Sequence, residues 1–378
     1  MGKPYGILLV AGDRTHQEMY GPAFAADPRC RLVGLTDELG VSVRRDRWNR
    51  SLAQRLRIPF IPDLRDALKL RDVHVVSVCV EFERRAKVSA LCALAGKHVY
   101  IDKPLATTNE EASSLVAAVR KEGVKSQMFS MLRASWAQKA RKVLRSGMLG
   151  DLVSMHSDLL FAKGHAGSAD LSQSRQEHFP PKKFTYLDSK RELFTMGVYS
   201  IGMMHWLSGA SVKRVYARTS NYFFQEHQKN DVEDFAALTL EFEGGVVGTL
   251  SGGRIGWLSH LAGGTSGIFL FGTGGSQFID AARPRVEIAC DSLAWRPGPA
   301  LPEDPMGFWR SSTLETGGVH KFNWGSVSRD AQSDESFFID CIEQNRESDM
   351  SVIEAAEVLK VLLAAYESAA TGKVVSIT

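Results

Sequence analysis

The chain has 378 residues, 44% of them hydrophobic, and 46 Lys and Arg against 43 Asp and Glu leave a formal net charge of +3. That length supports a large core and more than one domain, while basic residues scattered along the chain leave no electrostatic footprint for nucleic acid. No apolar run approaches the roughly 20 residues of a membrane helix, no cleavable apolar leader precedes the first strand, and five cysteines without metal or redox spacing read as reduced, buried thiols; a cytoplasmic protein without a metal site is expected.

In chain order, Ile7 to Val10 reads as an apolar strand, and Ala11-Gly12-Asp13-Arg14-Thr15-His16 as the turn into a helix that runs to Ala26. A turn that cradles a pyrophosphate at a helix N-terminus follows the pattern Gly-x-Gly-x-x-Gly/Ala. With Gly12 first, Arg14 takes the second position and Gln17 the third, each bringing a side chain where the pattern has little or none. Asp13 and Thr15 are able to cap the helix, and Arg14 to hydrogen-bond phosphate. Gly12, Asp13 and Arg14 are therefore candidate cofactor contacts; the rival reading is a dinucleotide site that has decayed. The next strand, Arg31 to Leu35, delivers Asp37 at its end. A carboxylate at that distance from the turn accepts hydrogen bonds from an adenosine ribose and repels a 2′-phosphate, which favours NAD over NADP. Asp37 also suits the N-cap of a helix beginning near Val41, and Arg44 and Arg45 on that helix read as its solvated face.

A helix around Asp63 to Lys69, a buried strand from Val73 to Val80, and helices over Arg84 to Leu94 and Asn109 to Glu122 give the alternation of a parallel sheet. Between those last two helices lies Ala95-Gly96-Lys97-His98-Val99-Tyr100-Ile101-Asp102-Lys103-Pro104. Gly96 ends a helix, Val99 to Ile101 is a short strand, and Asp102-Lys103 stands where that strand stops, at the edge where parallel sheets bind ligands. Proline holds the preceding residue away from the helical region, so the Lys103 ammonium is aimed in one direction.

This string resembles the AGKHV-x-x-EKP signature of the glucose-fructose oxidoreductase and inositol dehydrogenase family (Gfo/Idh/MocA), with Asp102 in place of the usual Glu. The resemblance implies a nicotinamide dinucleotide domain followed by a β-sheet substrate domain, with Lys103 as the site lysine. Where the family has a Thr-Pro-Asn-like turn beside the nicotinamide, this chain has Val80-Glu81-Phe82-Glu83-Arg84-Arg85; Glu81 in that turn, with Asp102 and Lys103 at the end of the later strand, are further candidate cofactor contacts. Arg85 stands at a family histidine.

Ser126 to Ser130 closes the first sheet, and Leu132 to Arg145 reads as a helix stopped by Gly147. From there the pattern alternates: Val153 to Phe161, Val212 to Tyr222, Phe235 to Phe242, Val246 to Gly252, Gly267 to Phe271 and Ser276 to Ile279 read as strands, with Gly244-Gly245 as a hairpin turn. His165 to Leu193 reads as a substrate-facing insertion. The run Thr195-Met196-Gly197-Val198-Tyr199 resembles the family's Asp-x-Gly-x-His/Tyr helix start, which implies Tyr199 as the acid/base residue and leaves Thr195 where a carboxylate usually stands. Thr195 and Tyr199 would share one helix face; His205 would point elsewhere. Residues 281 to 330 read as long loops, Glu335 to Ala370 as an interrupted helix that resumes with a capping box at Glu354, and Gly372 to Ile377 as a last strand.

The expected fold is α/β: a Rossmann-like doubly wound parallel sheet over residues 1–130, then over residues 131–378 an α+β domain with a large, mostly antiparallel, open-faced sheet. The expected function is NAD-dependent oxidation or reduction of a sugar, cyclitol or related polyol, with Tyr199 moving the hydroxyl proton and Lys103 orienting the substrate oxygen. Two rivals remain: a cofactor-retaining enzyme without net redox, which eliminates, epimerises or cleaves a glycoside through a keto intermediate, and a non-catalytic dinucleotide-binding regulator. The resemblance implies a homo-oligomer, dimer or tetramer; neither nucleic acid nor membrane is expected as a partner.

Overall fold

The computed structural model describes residues 4–12, 15–161, 169–173, 177, 180–186, 189–254, 266–280 and 332–378, together with the backbone of 285–290 and 320–325. Two compact units emerge. The first comprises Met1–Ser130, Lys182–Thr185 and Gln332–Leu359; the second comprises Met131–Pro181, Tyr186–Ala331 and Lys360–Thr378.

The first unit alternates β1 (Tyr5–Val10), α1 (Gln17–Ala26), β2 (Cys30–Thr36), α2 (Val43–Leu56), β3 (Phe60–Ile61), α3 (Leu64–Leu68), β4 (Val75–Val78), α4 (Phe82–Leu94), β5 (His98–Ile101), α5 (Asn109–Glu122) and β6 (Ser126–Met128). The six strands are parallel in the order β3-β2-β1-β4-β5-β6, the doubly wound arrangement. β1 and β4 are buried along nearly their whole lengths, as strands covered on both faces must be, which is why they read as unbroken apolar runs. Ile7, Leu9 and Val75 pack with Tyr20 and Phe24 of α1, Leu52 of α2 and Tyr100 of β5 in one core. Phe338 and Ile339 of a late helix, α9 (Asp334–Glu343), complete it. Ser42 caps α2 through its hydroxyl, so Asp37 is free of that duty.

The second unit contains α6 (Ser135–Arg145), β7 (Leu152–Phe161), a π-helical turn at Leu193–Gly197, α7 (Val198–Ser208), β8 (Val212–Ser220), α8 (Gln225–Lys229), β9 (Phe235–Phe242), β10 (Val247–Arg254), β11 (Ser266–Gly272), β12 (Gly275–Asp280), β13 (Arg285–Cys290), β14 (His320–Gly325) and β15 (Val375–Ser376). α10 (Val352–Thr371) belongs to the first unit up to Leu359 and to the second from Lys360. Nine strands form one sheet in the order β14-β13-β12-β11-β7-β10-β9-β8-β15; only the β7–β10 pair is parallel. Register explains the alternation in the sequence. Leu270, Met155, Gly248, Leu240 and Val215 lie side by side across five strands and face the core, whereas the adjacent row from Phe269 through His156, Thr249 and Thr239 to Tyr216 faces away. Gly244 and Gly245, both at positive φ, make the β9–β10 turn.

Three expectations are corrected. Residues 281 to 330 are not all loop, since β13 and β14 lie within them: β13 pairs with β12 and β14 with β13, and this pairing makes two short runs strands. α6 begins at Ser135 rather than at residue 132. The stretch before Tyr199 is a π turn rather than α-helix, so Thr195 and Tyr199 belong to different helical registers. Trp295, Trp309 and parts of the His165 to Leu193 insertion (165–168, 174–176, 178, 179, 187 and 188) lie outside the described residues.

Candidate active site

In the first unit the expected site residues stand at the carboxyl ends of β1, β2, β4 and β5, the ligand edge of a parallel sheet. After β1 the chain turns sharply, with Ala11 and His16 at positive φ. A Cβ on Gly12 would lie 2.6 Å from the Asn49 Cα of α2, so only glycine fits there. Asp13 and Arg14 lie outside the described residues. Gln17, at the third position of the fingerprint, points down into the sheet: its amide donates to the Val10 and Ser77 carbonyls at 3.2 and 2.8 Å, and its oxygen accepts the Ser77 hydroxyl at 2.8 Å. It ties β1 to β4 beneath the turn.

Asp37 is buried. Its Oδ1 accepts the Glu38 amide at 2.8 Å and the Arg84 guanidinium at 3.0 Å, and its Oδ2 accepts the Asn49 amide at 2.9 Å. A carboxylate has about four acceptor positions, so one remains for a ribose hydroxyl. Glu81 pairs with Arg45 at 2.7 Å and Arg84 at 2.7 Å; burial would raise its carboxyl, but the two guanidiniums bring it down to about 2. Arg45 is thus not on a solvated face: it is buried, and only Arg44 stays exposed, over the Trp48 ring. An open cleft of about 400 Å³ lies among Glu38, Gly40, Ser42, Arg45, Glu81 and Arg84. The glycine required at position 12, the remaining Asp37 acceptor and this cleft fit the turn, ribose and adenosine end of a dinucleotide.

Asp102 is a structural anion, not an exposed one. Its oxygens accept the Arg85 guanidinium at 3.0 Å and the Tyr20 hydroxyl at 2.8 Å, with His16 Nδ1 at 3.2 Å. Burial would raise its pKa, but Arg85 and His16 outweigh burial and hold the carboxyl well below the usual range. Arg85 also donates to the carbonyls of Val80 at 2.9 Å and Pro104 at 2.8 Å. That guanidinium fastens the end of β4 to both sides of Lys103, whose side chain is itself largely buried and whose bond to Pro104 is cis.

In the second unit Tyr199 sits partly exposed on α7 and lines a small cavity with Met131, Trp136, Ser157, Asp158 and Met203. The Ser157 hydroxyl donates to Ser200 at 2.9 Å, pinning α7 to β7 beside it. Thr195 is buried and turned back: its hydroxyl lies 3.1 Å from the Arg191 carbonyl and 3.2 Å from Glu192 Oε2. The carboxylate missing at position 195 has a neighbour here, because Glu192 is fully buried with Arg254 at 2.9 Å and His227 at 3.5 Å. Burial would raise Glu192, and His227 and Arg254 lower it below its ordinary value. Arg191 pairs with Glu233 at 3.0 Å, whose other oxygen takes the Tyr366 hydroxyl at 2.5 Å. His205 bonds the Ala210 carbonyl at the end of α7.

Arg85, Gln17, Tyr20 and Glu192 carry parts of this arrangement that the sequence reading did not assign. For Glu192 a signal existed: Arg191-Glu192 is a charged pair opening an otherwise apolar helical run.

A parallel sheet in Rossmann order with its charged groups gathered at the strand ends, followed by an open mixed sheet, defines a dinucleotide-binding oxidoreductase architecture. The comparisons say which. Residues 9–130 match the model of an oxidoreductase family with an NAD-binding Rossmann fold, and residues 137–277 the Gfo/Idh/MocA C-terminal domain. The chain belongs to the Gfo/Idh/MocA family of oxidoreductases. It is 25% identical over 240 residues to the uncharacterized oxidoreductase YrbE of Bacillus subtilis, covering 63% of this chain and 64% of that one, so it spans less than two thirds of that relative. It is 22% identical to the myo-inositol 2-dehydrogenase of Thermotoga maritima, over 66% and 69% of the two chains. The crystal structure of GenD2 from gentamicin A biosynthesis, in complex with NAD, superposes with a TM-score of 0.72 at 20% identity, over 100% and 97% of the chains. Among the described residues no helix is long and apolar enough to cross a membrane, and no group of three His, Cys, Asp or Glu is gathered to hold a metal.

Proposed function

We propose that the protein is an NAD-dependent oxidoreductase that acts on the secondary alcohol, or the corresponding ketone, of a sugar, cyclitol or related polyol. The observation that carries this reading is the Arg85 clamp on either side of Lys103, which holds one lysine at the ligand edge of β5. A bound nicotinamide supplies the hydride acceptor or donor. The residues of this chain handle the rest: Gly12 gives the pyrophosphate room, Asp37 accepts a ribose hydroxyl and Glu81 walls the adenosine end. Lys103 orients the substrate oxygen, and the Tyr199 hydroxyl takes or returns its proton, with Thr195 and the buried Glu192 fixing the start of its helix. The relatives named for inositol support the polyol class, and the NAD-bound neighbour supports the cofactor.

Native mass spectrometry and titration with NAD and NADP test the cofactor, and a panel of polyols tests turnover. Lys103→Met and Tyr199→Phe should each cost roughly 100-fold or more in kcat with dinucleotide affinity unchanged. If both act on one proton transfer, the double variant loses little more than either single one. Tight NAD binding without turnover of any polyol, wild type included, would instead indicate a sensor. The outward row bearing Phe269 and Tyr216, with Phe271 and Val247 in the next, also supports pairing of this face with a second copy, which light scattering in solution tests.

A further inference from the structure

Two guanidiniums, Arg45 of α2 and Arg84 of α4, border the cleft at the end of β2. Arginine is the side chain suited to grip a phosphate with paired N–H groups. By count of cations alone this cleft would invite the 2′-phosphate of NADP. The structure shows both already committed. Glu81 takes one guanidinium on each oxygen: Arg45 Nη2 and Nε reach Oε1 at 2.7 and 2.8 Å, while Arg84 Nη2 and Nε reach Oε2 at 2.7 and 3.1 Å. Arg84 Nη1 spends its remaining reach on Asp37 at 3.0 Å and Glu38 at 2.8 Å. Three carboxylates thus face two guanidiniums. A phosphate dianion entering here would meet net negative charge and would have to break existing ion pairs, whereas a ribose hydroxyl needs only the acceptor position that Asp37 keeps.

We infer that Glu81 is a specificity-determining residue: by holding Arg45 and Arg84 together it withholds both from a 2′-phosphate and makes this edge select NAD. The inference rests on the NAD reading above and names the device behind it. It is a property of this chain's turn, since Glu81 stands where the family has a Thr-Pro-Asn-like run. Glu83, two residues on, serves another purpose: its carboxylate accepts the Phe184 and Thr185 amides at 3.0 and 2.9 Å and touches neither guanidinium.

The test is calorimetric titration of the full chain with NAD and NADP, which reads binding independently of turnover. Glu81→Gln keeps the shape and removes the charge. It should tighten NADP binding by roughly tenfold or more, the scale of a charge-assisted phosphate contact, and leave NAD within about threefold. Glu83→Gln, with the same change in net charge, should leave the NADP-to-NAD ratio unchanged. Adding Arg84→Met to Glu81→Gln should abolish the gain. If Glu81→Gln does not fold by circular dichroism, Glu38→Gln decides: it should shift the ratio in the same direction by a smaller factor. A ratio that moves no more in Glu81→Gln than in Glu83→Gln, while the wild type still prefers NAD, overturns this inference alone. A wild type that binds both dinucleotides equally, or neither, overturns the NAD reading and this device with it.

Discussion

The Arg85 guanidinium lies 3.0 Å from the Asp102 carboxylate, both side chains buried, on the residue just before Lys103. Arg85→Met would take the guanidinium from that buried carboxylate and remove a donor from the Val80 and Pro104 carbonyls. It should cost about 3–5 kcal/mol, as loss of one partner of a buried pair does. Arg85→Lys should recover little, because one ammonium cannot match the planar fork that reaches three acceptors. Urea denaturation measures both, and Arg85→Met with Asp102→Leu together should cost less than the sum of the singles.

Gln17→Gly restores the fingerprint residue and should nevertheless damage the protein. The Val10 and Ser77 carbonyls and the Ser77 hydroxyl would lose their buried partner, and a helix glycine adds its own cost. A loss of about 3 kcal/mol is expected by denaturation, with no gain in dinucleotide affinity.

The Tyr100 hydroxyl lies 3.1 Å from both an Asp334 and a Glu335 oxygen. With one proton it donates to only one of them, so ionising both buried carboxyls beside it is disfavoured. Burial and the Glu335 charge push Asp334 up to about 7. A carboxyl whose folded pKa exceeds its unfolded value contributes fully below the unfolded pKa, and the contribution is lost as pH rises toward the folded one. Stability should therefore fall with a slope of up to ~1.4 kcal/mol per pH unit between roughly pH 4 and 7 and level off above that. Asp334→Asn should flatten the decline and raise the urea midpoint at alkaline pH; a pH-independent difference between the two proteins would refute the assignment.

Thr195→Asp restores the family's carboxylate but sets it beside the buried Glu192, 3.2 Å from the present hydroxyl. Like charges that close cannot both ionise, so one should hold a proton to unusually high pH. The variant should melt below wild type at alkaline pH, and the gap should close toward roughly pH 5 as the shared proton is taken up. Thr195→Val, which loses only a hydrogen bond, should cost about 1 kcal/mol at every pH.

Much of this protein was readable without coordinates. The apolar runs of β1 and β4, the alternation of β7 and β9 and the Gly96 and Gly147 helix stops announce a parallel sheet followed by a mostly antiparallel one, because backbone hydrogen bonding and burial repeat with the period of the chain itself. The run from Ala95 to Pro104 carried the family. What the residues do to one another was decided only in three dimensions. Gln17 reads as a broken fingerprint and is a clamp under the turn. Arg45 reads as a surface cation and is locked to Glu81, 36 residues away. Asp334 and Glu335 bring α9 to the first unit through Tyr100, more than 200 residues earlier. Local periodicity reports which face of an element is buried; it carries no record of which charged group another element delivers there, since that depends on strand order, register and helix crossing, and these exist only once the sheet is assembled.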